Sequence, residues 1–216
     1  MIPIELTHFQ LDLQNYTYDA DRLIGEGGYS KVYKVVEKKT RKIYAAKIIE
    51  EYLDQTIKRE IQIMLSLHNP TIAKIIGYAK TNFDDEEDSL TMIMPFYEKS
   101  SLDSIITKLI KKKAPKEITK TSLQIILIGI ARGMKYLHDH SIIHRDLKPR
   151  NVLLDEKYHP LIADFGLSKF YNNLNPVQSI NLGTCTYRSP EVIIKSQNYG
   201  EGSDVYSFAI LMLEVV

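Results

Sequence analysis

The sequence has little of what marks secreted, membrane or disulfide-bonded proteins. Its one cysteine, Cys185, excludes an internal disulfide. Apolar runs such as Ile125–Ile130 are far shorter than the roughly 20 residues of a membrane-spanning helix, so no membrane segment is predicted. The N-terminus has neither a basic flank nor a continuous apolar core, so no secretory signal is visible. We therefore expect a cytoplasmic protein.

Net charge is also small. Lys and Arg number 28 against 27 Asp and Glu, which gives a net charge of +1. A chain without a strong global field is not suited to gripping nucleic acid. The six histidines show no metal-binding spacing, so His138, His140 and His159 are read as ordinary. The 216 residues, 44% of them hydrophobic, suit one globular domain or two lobes.

The segment with the most candidate catalytic residues is His144–Asn151, because it combines a base, a cation and a metal ligand. Basic neighbours favour the ionised form of Asp146, which can then orient a hydroxyl. Asn151 offers a carbonyl oxygen, a ligand that Mg²⁺ prefers, and Lys148 can meet a transferring phosphoryl group as a point charge. The segment therefore predicts phosphotransfer chemistry.

The N-terminal half reads mainly as strands. Residues 1–18 show no sustained period and are interpreted as a lead-in that packs on the first lobe. Strands near Leu23 and at Val32–Val36 flank a glycine-rich turn at 25–28, which is typical of a hairpin. Such glycines let backbone N–H groups approach phosphates, although a plain hairpin turn has the same composition.

Lys47 lies within an apolar strand, 42–49, and Glu60 lies near the apolar stripe of a predicted helix, 54–67. A buried lysine needs an anionic partner, so Glu60 is a candidate. The alternative is that Lys47 reaches solvent and that Glu60 is an ordinary exposed charge.

Two further strands, 72–78 and 90–94, complete a first lobe of five strands and one helix. Pro95 ends the last strand and indicates a hinge whose backbone can bond a flat heterocycle. Helices are predicted at 101–113 and 122–140. The basic run Lys111–Lys113 is read as a solvated helix end that favours the helix dipole, with an acidic partner as the alternative.

A second hairpin follows the central segment, with strands at 152–155 and 161–163. It leads to Asp164, a second candidate ligand for the same metal as Asn151. The polar region from Leu167 to Ser189 is predicted to be a long mobile loop.

The order and spacing of these motifs resemble the eukaryotic protein kinase domain over residues 19–216. The resemblance implies an α+β bilobal fold, with an N-lobe at 19–94, a hinge at 95–98 and a mostly helical, partial C-lobe at 99–216. It also implies ATP and Mg²⁺ as cofactors and proteins as substrates.

The same resemblance implies a role for each motif residue. Lys47 would hold the α- and β-phosphates and pair with Glu60, while Asp146 would orient the substrate hydroxyl. Asn151 and Asp164 would hold Mg²⁺. Further ATP contacts are implied at Ile24, Gly25, Gly27, Gly28, Ser30, Val32, Ala45, Met94, Phe96, Tyr97 and Leu153. Ser30 stands where a third glycine is usual, so altered phosphate coverage is expected.

The same resemblance implies which hydroxyl groups are phosphorylated and how the activity is controlled. Lys148 and the pair Gly183-Thr184 are typical of Ser/Thr kinases, and residues 203–208 resemble the tyrosine-kinase-like branch of that group. Arg145 predicts control by a phosphate on the mobile loop, with Ser179 as the first candidate and Thr186 as the second.

The chain stops at Val216, inside an apolar helix that begins near Asp204, where the family continues. Glu191 is expected to pair with an arginine from that continuation. The uncovered helix is expected to need either the missing chain or a partner. The alternative function is a truncated nucleotide-binding or scaffolding remnant without phosphotransfer activity.

Overall fold

The computed structural model describes residues 6–26, 30–50, 61–84, 89–166, 168–170, 185–194 and 200–215. The chain forms two compact units. Unit 1 comprises Met1–Leu67 and Lys74–Phe96, and unit 2 comprises His68–Ala73 and Tyr97–Val216. Strands dominate unit 1 and helices dominate unit 2, which confirms the α+β class.

Unit 1 is built on an antiparallel sheet in the order β1-β3-β4-β6-β5, with β2 paired to β3. The strands are β1 (Tyr16–Thr17), β2 (Leu23–Glu26), β3 (Ser30–Glu37), β4 (Ile43–Glu50), β5 (Gly77–Ala79) and β6 (Ser89–Pro95). Five of these strands are expected from the sequence, whereas β1 is an additional strand from the lead-in. Residues 61–66 form helix α1, which is part of the predicted helix 54–67.

The lead-in packs on unit 1 as expected. Leu13 and Tyr16 are buried in one cluster with Val35, Tyr44 and Ile93 from three strands of the sheet. The Tyr16 and Tyr44 rings meet edge to face with 5.9 Å between centroids, a favourable aromatic geometry. The lead-in therefore supplies part of the core of this unit.

At Gly77 the lead-in approaches strand β5 closely. A Cβ at this position would clash with the backbone oxygen of Phe9 and would lie 2.7 Å from Leu11 Cγ. We expect Gly77→Ala to lower the free energy of unfolding by at least about 2 kcal/mol, because a backbone atom cannot move aside cheaply. Urea denaturation followed by circular dichroism measures the change.

Gly202→Ala is the matched control, because nothing lies within 4 Å of a Cβ there. Its position in a helix favours alanine, so unchanged or slightly higher stability is expected. Equal urea midpoints for the two variants would contradict the close approach at Gly77.

The predicted strand at 72–78 is wrong over most of its length. Only Gly77–Ala79 forms a strand of the sheet. Ile72 instead bridges Ile162, and the Ala73 N–H donates to the Ile162 carbonyl at 2.8 Å, both within unit 2. The apolar run crosses from one unit to the other, so its two ends pair with different partners.

The described residues of unit 2 form four α-helices: α2 (Leu102–Ile110), α3 (Lys120–Asp139), α4 (Pro190–Ile193) and α5 (Glu201–Val215). Thr119 and Ser122 cap the start of α3 reciprocally. Its buried side chains recur at helical spacing, at Ile126, Ile130, Met134 and Leu137. No described helix is long and apolar enough to cross a membrane.

Two short antiparallel strand pairs flank the central segment of unit 2, residues 144–151. Strands β8 (Val152–Leu154) and β9 (Pro160–Ile162) form the predicted second hairpin. Strand β7 (Ile142–Ile143) pairs with β10 (Lys169–Phe170). The predicted mobile loop is therefore wrong at its start, because the buried β7 gives residues 169–170 a strand to pair with. Residues 171–184 lie outside the described part of the chain.

Candidate active site

Four of the predicted ATP contacts share one face of the unit 1 sheet. Val32 pairs with Lys47 across β3 and β4, and Ala45 pairs with Met94 across β4 and β6. Directly paired residues point to the same side, and so do residues two apart on a strand. The core cluster with Tyr44 lies on the opposite face. Lys47 is half-buried on the first face, and its partners on the two neighbouring strands are Val32 and Met92.

The glycine-rich turn is described at its two ends only. Gly25 pairs with Val32, and Ser30 is the first residue of β3. The Ile24 side chain is 48% exposed. Gly27, Gly28 and Glu60 lie outside the described residues, so phosphate coverage by the turn and the Lys47–Glu60 pair stay predictions.

The predicted hinge begins where β6 ends. Pro95 is the last residue of β6, and the division between the two units falls after Phe96. The Lys34 ammonium lies over the Phe96 ring, 4.9 Å from its centroid, within unit 1. In unit 2 the Tyr97 carbonyl accepts a hydrogen bond from the Ser100 N–H at 3.1 Å, which closes a turn.

In unit 2 three predicted catalytic and metal-binding residues contact one another. Lys148 Nζ lies 2.7 Å from Asp146 Oδ2, and Asn151 Nδ2 donates to the same oxygen at 2.9 Å. Asn151 Nδ2 also donates to the Asp146 carbonyl at 2.8 Å. The side chains of Asp146 and Lys148 are only 17% and 15% exposed, so the ion pair is partly shielded from solvent.

His144 contacts this cluster through the backbone of Asp146. Its side chain is fully buried, with Nε2 3.1 Å from the Ala163 carbonyl and the ring edge-on to Phe165. The Asp146 N–H donates to His144 Nδ1 at 3.3 Å. Because Nδ1 accepts, the proton must be on Nε2, where it can be donated to Ala163. His144 is therefore held in one orientation and in turn holds the backbone of Asp146.

The two predicted metal ligands are linked through the backbone. The Ala163 N–H donates to the Asn151 carbonyl at 2.9 Å, and Asp164 is the next residue. Asp164 is exposed and has a φ of 64°, a left-handed conformation that is uncommon for a residue other than glycine. Leu153, a predicted ATP contact, lies between these two ligands in the sequence. It belongs to β8 and is half-buried.

Asp204 is a functional residue that the sequence reading missed. This carboxylate, 1% exposed, accepts from the His144 N–H at 2.9 Å and from the Arg145 N–H at 2.8 Å. It thereby fixes the backbone at Arg145, whose φ is 70°. A signal was present, because an acidic residue on the buried side of an apolar helix requires partners.

His138 contacts the same carboxylate, with Nε2 2.9 Å from Asp204 Oδ2. Burial lowers the pKa of His138, but the hydrogen bond to Asp204 and the charges of Asp204, Glu201 and Asp139 outweigh it. The net pKa of His138 is raised above its ordinary value. The expectation that His138 is an ordinary histidine is therefore wrong.

This raised pKa predicts a pH-dependent stability. The contribution of protonated His138 is fully present below its unfolded pKa of about 6.5 and is lost as pH rises through the higher folded pKa. We expect the urea midpoint of the wild type to fall, as pH rises above about 6.5, more steeply than that of His138→Gln. Parallel pH dependences in the two proteins would contradict the assignment.

The structure describes the segment from residue 185 to residue 194, which contains the candidate Thr186 and Glu191. Thr186 is exposed, and Ser207 Oγ donates to the Tyr187 carbonyl at 2.7 Å. Glu191 accepts from Ser203 Oγ at 3.1 Å. Its expected arginine partner and the control of Arg145 by phosphate stay predictions. Ser179 lies outside the described residues.

Comparison with known proteins agrees with this arrangement. Residues 18–216 match the family model described as protein kinase domain. With Asp146, Lys148, Asn151 and Asp164 in place on a chain matched over this range, the protein belongs to the protein kinase domain family.

Individual kinases are similar over most of this chain. It is 32% identical to mitogen-activated protein kinase kinase 8 of Arabidopsis thaliana over 92% of its length and 62% of the relative. It is 35% identical to the receptor-like protein kinase ANXUR2 of the same plant over 93% of its length and 23% of the relative. It is 31% identical to cyclin-dependent kinase G-2 of Oryza sativa subsp. indica over 89% of its length and 27% of the relative. The chain therefore spans less than two thirds of these relatives.

Proposed function

We propose that this chain is an ATP-dependent protein serine/threonine kinase domain, which transfers the γ-phosphate of ATP to hydroxyl groups of protein substrates. The arrangement at Asp146 carries the proposal. Its Oδ2 is held by Lys148 and Asn151, whereas Oδ1 accepts no hydrogen bond from the described residues. One oxygen is thus fixed and the other is available to a substrate.

Asp146 Oδ1 would accept the hydrogen bond of the substrate hydroxyl and receive its proton as the oxygen attacks phosphorus. Lys148 lies beside this carboxylate and would offset the charge of the transferring phosphoryl group. His144 and Asp204 would hold the base in place through the backbone hydrogen bonds described above. The chain's own residues therefore provide a positioned base and an adjacent cation.

The donor set fits Mg²⁺. Asn151 turns its Nδ2 toward Asp146, which leaves its Oδ1 as a hard oxygen ligand, and Asp164 adds a carboxylate. No group of three or more histidine, cysteine, aspartate or glutamate side chains forms a metal cage among the described residues. Mg²⁺ commonly takes one or two protein ligands and completes its shell with phosphates and water. When bound, it would neutralise phosphate charge.

ATP is proposed to contact the face of the unit 1 sheet that carries Val32, Ala45, Lys47 and Met94. Three of these side chains are apolar, as an aromatic base requires, and Lys47 supplies a positive charge for phosphates. Phe96, Tyr97, Leu153 and the turn residues complete the proposed set. Serine/threonine specificity rests on Lys148 and Gly183-Thr184. The tyrosine-kinase-like subgroup and the cytoplasmic location stay predictions.

The proposal is tested by incubating the protein with labelled ATP, Mg²⁺ and a generic protein substrate such as casein. We expect labelled casein, and we expect the signal to disappear when EDTA removes the metal. ATP binding measured by calorimetry separates the alternative function. Binding without any transfer would indicate the nucleotide-binding or scaffolding remnant and would overturn the kinase proposal.

A further inference from the structure

A basic segment, residues 108–120, joins α2 to α3 and takes no part in the proposed catalysis. It contains six lysines and one glutamate, a local charge of +5 in a chain whose net charge is +1. The lysines are Lys108, Lys111, Lys112, Lys113, Lys116 and Lys120. The remainder of the chain is therefore net acidic, and the positive charge is concentrated here.

All six lysines are exposed, and none forms an ion pair with any residue in the described ranges. Other exposed lysines do find partners. Lys31 pairs with Glu50 at 2.8 Å, and Lys135 pairs with Asp139 at 2.7 Å. The backbone of the basic segment is nevertheless ordered by the buried Ile118 and by a hydrogen bond from its N–H to the Pro115 carbonyl at 3.0 Å. The positive charges therefore lie exposed on a loop whose backbone is ordered.

Lys112 occupies a position that disfavours it. It follows the C-cap Lys111 of α2 with a φ of 54°, and its N–H donates to the Leu109 carbonyl at 2.9 Å. The Lys113 N–H donates to the Lys108 carbonyl at 2.8 Å, which completes a Schellman motif. Glycine is the residue that suits such a left-handed position, because a Cβ strains it. A lysine here gives up local stability.

Lys120 is also placed against local preference. It is the first residue of α3, and the first turn of α3 contains no acidic side chain. The helix dipole favours negative charge at this end, so a lysine there is unfavourable. The dipole of α2 favours the lysines of its last turn, but the effect falls off within a turn. It does not account for Lys116 or Lys120.

We propose that the basic segment is a docking surface for an acidic segment of a partner protein. Residues that break local rules without a compensating contact are expected at functional or strained sites. Ile110 adds one apolar anchor beside the lysines, since its side chain is 78% exposed. A membrane-binding segment presents a broad apolar face to the lipid, whereas one isoleucine fits a side chain of a peptide. The proposal concerns binding and does not require kinase activity.

The first experiment measures binding of a fluorescein-labelled peptide of Glu and Asp residues around one leucine, by fluorescence anisotropy. We expect Lys111→Gln/Lys113→Gln to weaken binding about tenfold in 50 mM salt, and added salt to weaken wild-type binding by screening. Lys38→Gln/Lys39→Gln is the matched control, because it removes two exposed lysines from another loop. Equal weakening by both pairs would overturn the proposal.

A second pair of variants separates function from folding. Lys112→Gly should raise the Tm while weakening peptide binding, because it removes both the strain and a charge. Ser141→Gly should raise the Tm without affecting binding, since Ser141 has a φ of 58° after α3 and carries no charge. If Lys112→Gly binds the peptide as tightly as the wild type, the strained lysine has no docking role and the proposal fails.

Vesicles containing 30% phosphatidylserine and a peptide with Gln in place of Glu and Asp complete the test. Tighter binding to vesicles than to the acidic peptide would overturn a protein partner in favour of a membrane. Equal binding of the neutral peptide would overturn the electrostatic basis. Asp146→Asn should bind the acidic peptide like the wild type, so failure of the kinase proposal and failure of docking give different results.

Discussion

Asp146→Asn is expected to slow phosphate transfer by about 10²–10⁴-fold while leaving ATP affinity nearly unchanged. Asparagine keeps the size of the side chain and an oxygen that Lys148 and Asn151 can still contact. It cannot take up the proton of the substrate hydroxyl. The loss should therefore fall on kcat rather than on nucleotide binding. Initial rates with saturating ATP and calorimetric ATP titrations measure the two effects.

Asp155→Asn is the matched control for this substitution. Asp155 accepts from the backbone N–H groups of Lys157 and His159 at 2.8 Å and 2.7 Å, in a turn that asparagine also favours. It has no role in the proposed chemistry, so its rate should equal that of the wild type. A comparable loss in both variants would show that the rate reports folding and not the base.

Asp204→Ala is expected to destabilise unit 2 strongly. It removes the acceptor of two backbone N–H groups and of His138, and leaves the buried His144 N–H without a partner. Removing one partner of a buried, hydrogen-bonded ion pair costs about 3–5 kcal/mol, so we expect a loss of that size. Urea denaturation measures the loss, and the pH dependence assigned to His138 should disappear with it.

Glu201→Ala provides a comparison within the same helix. Glu201 is an exposed acidic residue in the first turn of α5, so its replacement should cost less than about 1 kcal/mol. A variant of Asp204 that unfolds at the same urea concentration as the Glu201 variant would contradict the anchoring role. In that case the conformation at Arg145 must be held by other contacts.

Local patterns predicted much of the fold because they are set by neighbours in sequence. The hairpin pattern at β3, the apolar run of β4 and the helical spacing in α3 are properties of short segments, and the structure confirms those elements. The segment 72–78 shows the limit of this reasoning. An apolar run looks like one strand, but nothing local says that Ile72 pairs in one unit and Gly77 in the other.

For the candidate site, too, the sequence predicted the contacts between near neighbours and missed a distant one. The contacts among Asp146, Lys148 and Asn151 occur within a few residues, so the sequence predicted their grouping. Asp204 was missed because its partners are distant in sequence: two backbone N–H groups 59 and 60 positions away and the His138 side chain 66 positions away. Every residue except proline has such a donor, so a backbone partner leaves no signature in the side-chain pattern. The signal is only the buried carboxylate itself.

The central claim, that the chain is a serine/threonine kinase domain, is tested most directly by mass spectrometry of a protein substrate after incubation with ATP and Mg²⁺. The account predicts phosphate on serine and threonine residues with the wild type and nearly none with Asp146→Asn. Phosphotyrosine as the main product would contradict the specificity. Equal phosphorylation by the two proteins, or none by either while ATP binds, would contradict the proposed mechanism.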